Sequence, residues 1–314
     1  MLKLIVKRIL FALLTLLGVS VLTFALGRLA PGDPVDILLA GIQSPTLEEI
    51  ELAREYLQLD RPIPIQFATW LSRVVRGDFG ISYRTGVPVL REVVVRLPAT
   101  LRLMLGAVIV MLLVGFPLGV VSALHQNKPA DYAVRFFNTL VIAIPTFCIG
   151  ILLIMVFAVR LGWLPVLPGG DFRQIILPSM TIGVGSGAGL ARLMRSQLIN
   201  AMQKEHVRAA LTFGVSRRRV IINNVLKNAM PPVITNIGLF AGALLGGSAI
   251  IETLFSWPGA GRYAVDAIFG RDYPVIQAYA LIMAAIYITI NLLTDIVNCA
   301  FAPSADILGV GKDA

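Results

Sequence analysis

Apolar residues dominate six stretches of this chain, near 9–29, 100–124, 136–159, 175–195, 232–254 and 276–301. A helix crosses a bilayer with roughly 20 mainly apolar residues, so the pattern predicts six membrane-spanning helices. The fourth stretch is diluted by Gly183, Gly185, Gly187 and Gly189. Glycine is common where transmembrane helices pack closely. A long segment at 31–98 separates the first two spans. It opens on Ala30-Pro31-Gly32-Asp33-Pro34, a turn signal. Thr46 then stands three residues before Glu49, the spacing of a capping box. Ile50, Leu52, Ala53, Tyr56 and Leu57 follow at helical spacing, and a second helix is expected over 62–76. Gly77-Asp78-Phe79-Gly80 ends it. This small helical subdomain either docks an external partner or caps the bundle.

The stretch 196–231, between spans four and five, is polar, basic and helix-compatible. It reads Glu205-His206-Val207-Arg208-Ala209-Ala210-Leu211-Thr212-Phe213-Gly214-Val215-Ser216. Gly214 suits the left-handed residue that ends a helix. Ser216 suits the N-cap of the next, expected over Arg217–Ala229. Pro231 and Pro232 are expected where span five begins, since a missing N–H costs least in a first turn. The prediction is a short helix, a turn and a second helix, either a solvated basic loop or a rigid knob that another protein can push.

Composition agrees with a membrane protein. Of 314 residues, 57% are hydrophobic and 14% charged, against about 45–50% and about 25% in soluble domains. A water-soluble globule, a disordered chain and a collagen-like rod are excluded. Lys3, Lys7 and Arg8 precede the first apolar run. No clean small-residue cleavage site follows it, so it reads as a retained helix rather than a signal peptide. Cys148 and Cys299 lie within apolar runs, and His125 and His206 are far apart, so no disulfide framework or metal-ligand spacing emerges.

The net charge of +9 has a direction. With both termini placed in the cytoplasm, the inner face holds 14 basic and 5 acidic residues, and the outer face 13 of each. Every lysine falls inside. That is the positive-inside asymmetry, and it removes the need for a nucleic-acid partner. Trp163 and Trp257, beside span ends, fit an interfacial aromatic belt.

Four motifs in order resemble the inner-membrane permease subunits of binding-protein-dependent ABC importers, in the dipeptide/oligopeptide/nickel branch. The first is Ala209-Ala210-Leu211-Thr212-Phe213-Gly214, with Leu226-Lys227-Asn228-Ala229-Met230-Pro231-Pro232 downstream. The second combines Gly246-Gly247, Ile251-Glu252, Phe255 to Arg262 (Phe-Ser-Trp-Pro-Gly-Ala-Gly-Arg) and Arg271-Asp272-Tyr273-Pro274. The third is Pro31-Gly32-Asp33-Pro34 with Gly77-Asp78-Phe79-Gly80. The fourth is Leu97-Pro98-Ala99-Thr100-Leu101. The chain departs from the family at Arg208, where the broader loop motif carries Glu, and at its C-terminal end.

The resemblance implies an all-α polytopic protein with six transmembrane helices in the type I importer permease fold. It implies a first span with its cytoplasmic N-terminus over 1–30, an outer subdomain over 31–98, a core permease domain over 99–302 and a cytoplasmic tail over 303–314. The implied partners are a homologous second permease, two cytoplasmic ATPase subunits and an extracytoplasmic solute-binding protein, all at the bacterial inner membrane. ATP and Mg would sit on the ATPases; the chain itself has no Gly-x-x-x-x-Gly-Lys-[Ser/Thr] loop and is expected to be no enzyme. Glu205, Arg208, Ala209, Ala210, Gly214, Ser216 and Arg217 become the ATPase-coupling candidates. For Arg217-Arg218-Arg219, binding of anionic lipid headgroups stays open beside it.

Pathway or gate candidates are Gly238, Gly242, Gly246, Glu252, Asn291 and Asp295. The glycines recur every fourth residue, for tight packing or for room for solute. Asn291 and Asp295 share a helix face, for a structural hydrogen bond or for solute contact. Glu252 is a candidate for an outer gate or a binding-protein contact. The resemblance leans towards nickel or a metal chelate as solute, with di- or oligopeptides close behind. An ion-gradient-driven carrier is the alternative; it would carry buried midplane acids and inverted repeats, and neither is clear here.

Overall fold

A computed structural model of the chain describes residues 2–29, 33–39, 42, 44–166 and 172–301. The Ala30-Pro31-Gly32 part of the first turn and the 303–314 tail lie outside the described residues. In chain order the helices are α1 (Leu2–Leu29), α2 (Pro34–Leu38), α3 (Leu47–Tyr56), α4 (Ile63–Val75), α5 (Val89–Leu124), α6 (Pro129–Ala143) and α7 (Thr146–Leu153). There follow α8 (Ile176–Met202), α9 (Glu205–Thr212), α10 (Arg217–Val220), α11 (Lys227–Leu254), α12 (Ala260–Phe269) and α13 (Tyr273–Phe301). Among the described residues, the sole β pairing is one bridge, Ile81 with Pro88.

Five helical segments are long and apolar enough to cross a membrane: Leu10–Leu29, Val89–Leu124, Phe172–Met202, Arg217–Leu254 and Tyr273–Asn298. The expected third span is different. Residues 129–160 pass the same test only as a pair of helices, α6 and the α7 segment, bent by 100°. The cause is local. Pro145 disfavours the α conformation at the residue before it, and Ile144 is extended with ψ 128°. A pattern of apolar residues does not register such a break, because both halves are equally greasy. Span two begins earlier than expected too, at Val89 rather than near 100.

Span five brings a second correction. Pro231 and Pro232 do not open it; they lie inside α11, in helix that runs on unbroken from Arg217. The turns before them, Ile221–Leu226, are π-helical. Proline removes the N–H that would serve a carbonyl four residues back, so α11 runs through Pro231 and Pro232 without the backbone bonds to Lys227 and Asn228.

The chain divides into two compact units, residues 1–100 with 258–288, and residues 101–257 with 289–314. In the first, Phe24 of α1 packs on Phe67 and Trp70 of α4, with ring centroids 5.3 and 5.6 Å away. The expected capping box is present: the Glu49 amide donates to Thr46 Oγ1 at 3.3 Å, and the Thr46 amide to Glu49 Oε2 at 2.8 Å. Those bonds favour the ionised carboxylate and hold Glu49 below the usual carboxylate range.

In the second unit α8 is the central helix. In its apolar window 61% of residues are buried, against 11% in α1. Its glycines explain how it can be central. A Cβ on Gly183 would lie 2.5 Å from Val110 Cβ and 2.8 Å from the Ala107 carbonyl oxygen of α5. The two backbones approach too closely there for any side chain.

Candidate functional site

The segment between α8 and α11 forms a compact protrusion. Val207 is 3% exposed and, with the partly buried Ala210 and Val215, packs against Leu198, Ile199, Val220 and Val225. That core fixes α9 on the end of α8. The helix ends in a Schellman motif: Gly214 has φ +79°, its amide donates to the Leu211 carbonyl, and the Val215 amide donates to the Ala210 carbonyl, both at 3.1 Å. Left-handed φ is the conformation that favours glycine. The other face is open. Glu205, Arg208, Ala209 and Ser216 are exposed, Leu211 is 45% exposed and Phe213 86%. Leu211 and Phe213 thus form an exposed apolar step on a fixed turn.

Ser216 occupies the N-cap position, but its side chain makes no capping bond there, a departure from expectation. With ψ 138° its backbone turns the chain, and the Val220 amide reaches its carbonyl at 3.1 Å. Arg217, Arg218 and Arg219 are exposed in the first turn that follows. Cations there oppose the helix dipole.

A buried ion pair lies nearby in the fold, unnoticed in the sequence. Asp131, in the first turn of α6, is 0% exposed. Arg195 of α8 grips it with a two-pronged fork, Nε to Oδ1 at 2.7 Å and Nη2 to Oδ2 at 2.6 Å. Ser122 Oγ donates to Oδ1 at 2.5 Å, and the Asn127 amide to Oδ2 at 3.0 Å. All four acceptor positions of the carboxylate are filled. Removing one partner of such a pair typically costs about 3–5 kcal/mol. Sixty-four positions separate the two residues, so charge counting registers them only as two inner-face ions.

A cavity of about 420 Å³ opens among α7, α8 and α11. Its wall includes Thr146, Phe147, Gly185, Ser186, Phe240 and Gly247. None of the six expected pathway or gate residues lines it. Gly238 packs against Thr294 of α13, whose side chain fills the space where a Cβ would go. Gly242 is buried. Gly246 is exposed, with nothing within 4 Å of a Cβ built on it, and Gly247 beside it lines the cavity. Glu252 is fully buried, accepts from Ser248 Oγ at 3.2 Å, and supplies its carbonyl to the Trp257 amide at 2.7 Å. That position gives it no surface for an external partner. Trp257 is also partly buried, against the Leu103, Ile251 and Phe255 core, whereas Trp163 is 63% exposed. Asn291 and Asp295 are half-buried on α13. One turn further on, Asn298 Nδ2 donates to Thr235 Oγ1 of α11 at 2.8 Å.

The outer motifs meet in the first unit. Asp272 is 3% exposed. It accepts from Ser82 Oγ at 2.5 Å and from the Tyr83 amide at 3.1 Å, pinning the turn after Gly77-Asp78-Phe79-Gly80. Thr100 Oγ1 accepts from the Ala260 amide at 2.9 Å. Arg96 lies 4.5 Å over the ring of Tyr263. Burial and the Asp272 charge push the Tyr263 and Tyr83 hydroxyls up, away from ionisation. Motifs read separately along the chain are thus joined by buried hydrogen bonds.

Comparison with known proteins places this architecture. Residues 115–307 match the family described as the binding-protein-dependent transport system inner membrane component, and residues 1–104 match its N-terminal companion. The chain is 39% identical over 304 residues to the glutathione transport system permease protein GsiC of Escherichia coli K12, across 97% of this chain and 99% of that protein. The same protein from Salmonella choleraesuis is equally similar. Among solved structures, a chain of the MetNI methionine ABC transporter in inward-facing form matches with TM-score 0.55 at 16% identity, over 67% of this chain and 96% of its own length. A chain of an amino acid ABC transporter matches with TM-score 0.51 at 19% identity, over 67% and 92%. Near-complete coverage by a relative at this identity, two consecutive family matches and a shared fold lead to one conclusion: this chain belongs to the family of inner-membrane permease subunits of binding-protein-dependent ABC importers.

Proposed function

We propose that this chain forms half of a translocation pathway for a short peptide of the glutathione class, driven by ATPase subunits that seat on α9. The observation that carries the coupling reading is the exposed Leu211–Phe213 turn on a helix anchored from behind by Val207. A bare apolar knob on a rigid support is what a groove on a partner would grip. Ala209 and Ala210 permit close approach, Gly214 sets the turn, and Arg208 or Arg217 pairs with acids on the ATPase. Closure of the ATPases on ATP would then push α9 and rock the bundle between inward-open and outward-open states. Arg217-Arg218-Arg219, unfavourable for their own helix, face an anionic surface.

The cavity beside Thr146, Ser186 and Gly247 is this chain's share of the pathway. A homologous permease supplies the other half, and a solute-binding protein delivers from outside. Both termini are cytoplasmic by the distribution of basic residues. The peptide class is supported by the relatives, which are named for glutathione transport. Nickel has the motif resemblance alone behind it.

The test is ATPase activity of the co-purified complex in lipid, with solute-loaded binding protein added or withheld. Ala210→Glu and Gly214→Pro should abolish stimulation while the subunits still assemble. Unchanged stimulation would overturn the role of α9. Uptake driven by a proton or sodium gradient without ATP would overturn the importer reading. Competition between glutathione and nickel for uptake decides the solute.

A further inference from the structure

We propose that Asp131 and Arg195 form the joint that carries the displacement of α9 into α6 and α7, and that transport per ATP depends on it. The proposal rests on the coupling role of α9 given above. Its argument starts at the core shared by α9 and its neighbours. Val207 of α9 packs in one cluster with Met194, Leu198 and Ile199 of α8 and Ala123 at the end of α5. Close-packed interiors are poorly compressible and transmit displacement, so a push on α9 arrives at the end of α8. Arg195 lies two turns before that end.

From Arg195 the connection is geometric. Its fork fixes both position and angle of the carboxylate, because two parallel N–H···O bonds allow no pivot. A lysine in its place would be a single point charge. Asp131 in turn holds the α5–α6 turn, through Ser122 Oγ and the Asn127 amide. Asn127 takes φ +60°, the left-handed turn conformation that asparagine tolerates. Asp131 lies in the first turn of α6, and α6 leads through Ile144-Pro145 into α7, where Thr146 and Phe147 line the cavity. The pair therefore stands between the lever and the wall of the pathway. It is a positioning pair: it touches neither solute nor nucleotide.

The experiment uses the full complex in vesicles of phosphatidylethanolamine and phosphatidylglycerol, with radiolabelled glutathione as the probe. Glutathione transported per ATP hydrolysed is measured for wild type, Arg195→Lys, Asp131→Asn and the double variant. The single variants should assemble and hydrolyse ATP on addition of loaded binding protein, with the ratio lowered by about threefold or more, the scale of coupling changes of this kind. The double variant should fall no further than the worse single variant, because one joint is lost only once. An unchanged ratio in either single variant overturns the proposal. So does a double variant whose losses multiply.

A second measurement keeps the wild-type pair intact. Cys148 and Cys299 are replaced, and spin labels are placed through His125→Cys on the α5–α6 turn and Gln203→Cys after α8. A joint keeps their separation constant through ATP binding and hydrolysis, within the roughly 1–2 Å of ordinary helix shifts. A separation that changes by a helical turn, about 5 Å, would show that the two elements slide past one another, and the joint does not exist. If wild type itself fails to couple ATP hydrolysis to glutathione uptake, the proposed function falls, and the label distance still judges the joint.

Discussion

Gly183→Ala and Gly185→Ala should shift stability in opposite directions, although the two positions lie on the same helix two residues apart. A Cβ at 183 meets Val110 Cβ at 2.5 Å and the Ala107 carbonyl oxygen at 2.8 Å. Carbon atoms rest at about 3.5–4.0 Å, so α5 and α8 must separate by about 1 Å locally. The carbonyl is backbone and cannot rotate away. Overpacking of this kind costs about 1–3 kcal/mol. Alanine recovers about 1 kcal/mol of helix propensity. The net change is a destabilisation of up to about 2 kcal/mol. At 185 nothing lies within 4 Å of the new Cβ, and the propensity gain stands alone, about 1 kcal/mol of stabilisation. For a chain of 314 residues each kcal/mol moves the melting temperature by about 1.5 °C. Thermal unfolding of the purified chain in detergent, followed by tryptophan fluorescence, reads both. Shifts of the same sign would refute the reasoning, because they would mean that the α5–α8 contact does not set the stability at 183.

Three further outcomes are expected. Asp272→Ala strands the Ser82 hydroxyl and the Tyr83 amide, and a buried donor without an acceptor costs about 1–3 kcal/mol; limited proteolysis should cut the 80–86 turn faster, and Asp272→Asn should lie between. Thr46→Ala removes the cap of α3, worth about 1 kcal/mol, and amide exchange over 47–51 should speed up. Because Glu49 is held below the usual carboxylate range, its share of that cap is complete above the unfolded value near 4.3. The share is lost as pH falls through the lower folded value, so protection should fade only in that acid window; fading at neutral pH would contradict it. Phe213→Ser should weaken binding of the ATPase subunits by about tenfold or more, the loss expected for a central aromatic anchor. Wild-type affinity by surface plasmon resonance would show that the exposed ring lies outside the contact.

The family resemblance was legible because its motifs are local. Gly214 after Ala209-Ala210 needs only six residues to declare a helix that ends in a left-handed turn, and the turn is there. Thr46 and Glu49 satisfy one another across three residues, so the capping box could be read directly. Five of the six apolar runs became continuous helices, each with the length and hydrophobicity that a bilayer demands.

The failures have one cause in common: the deciding interaction is either a single backbone constraint or a partner far along the chain. Pro145 bends the third span by 100° while its neighbours stay apolar. Pro231 and Pro232 are carried inside α11, with π-helical turns before them. Glu252 was a candidate for an outer gate or a binding-protein contact, and the fold buries it against Ser248. Asp131 and Arg195 were two ions among many until α6 and α8 brought them together.

Sequence alone therefore determined the solvent, the positions of the apolar runs, the family resemblance and the turn that ends α9, because these depend on composition and on neighbours within a helical turn. Tertiary structure alone decided which glycines are contacts and which face open space, which acids are buried, and which charged pair ties α6 to α8. Burial and hydrogen-bond partners are properties of packed helices, and the same residue has either fate depending on what arrives opposite it.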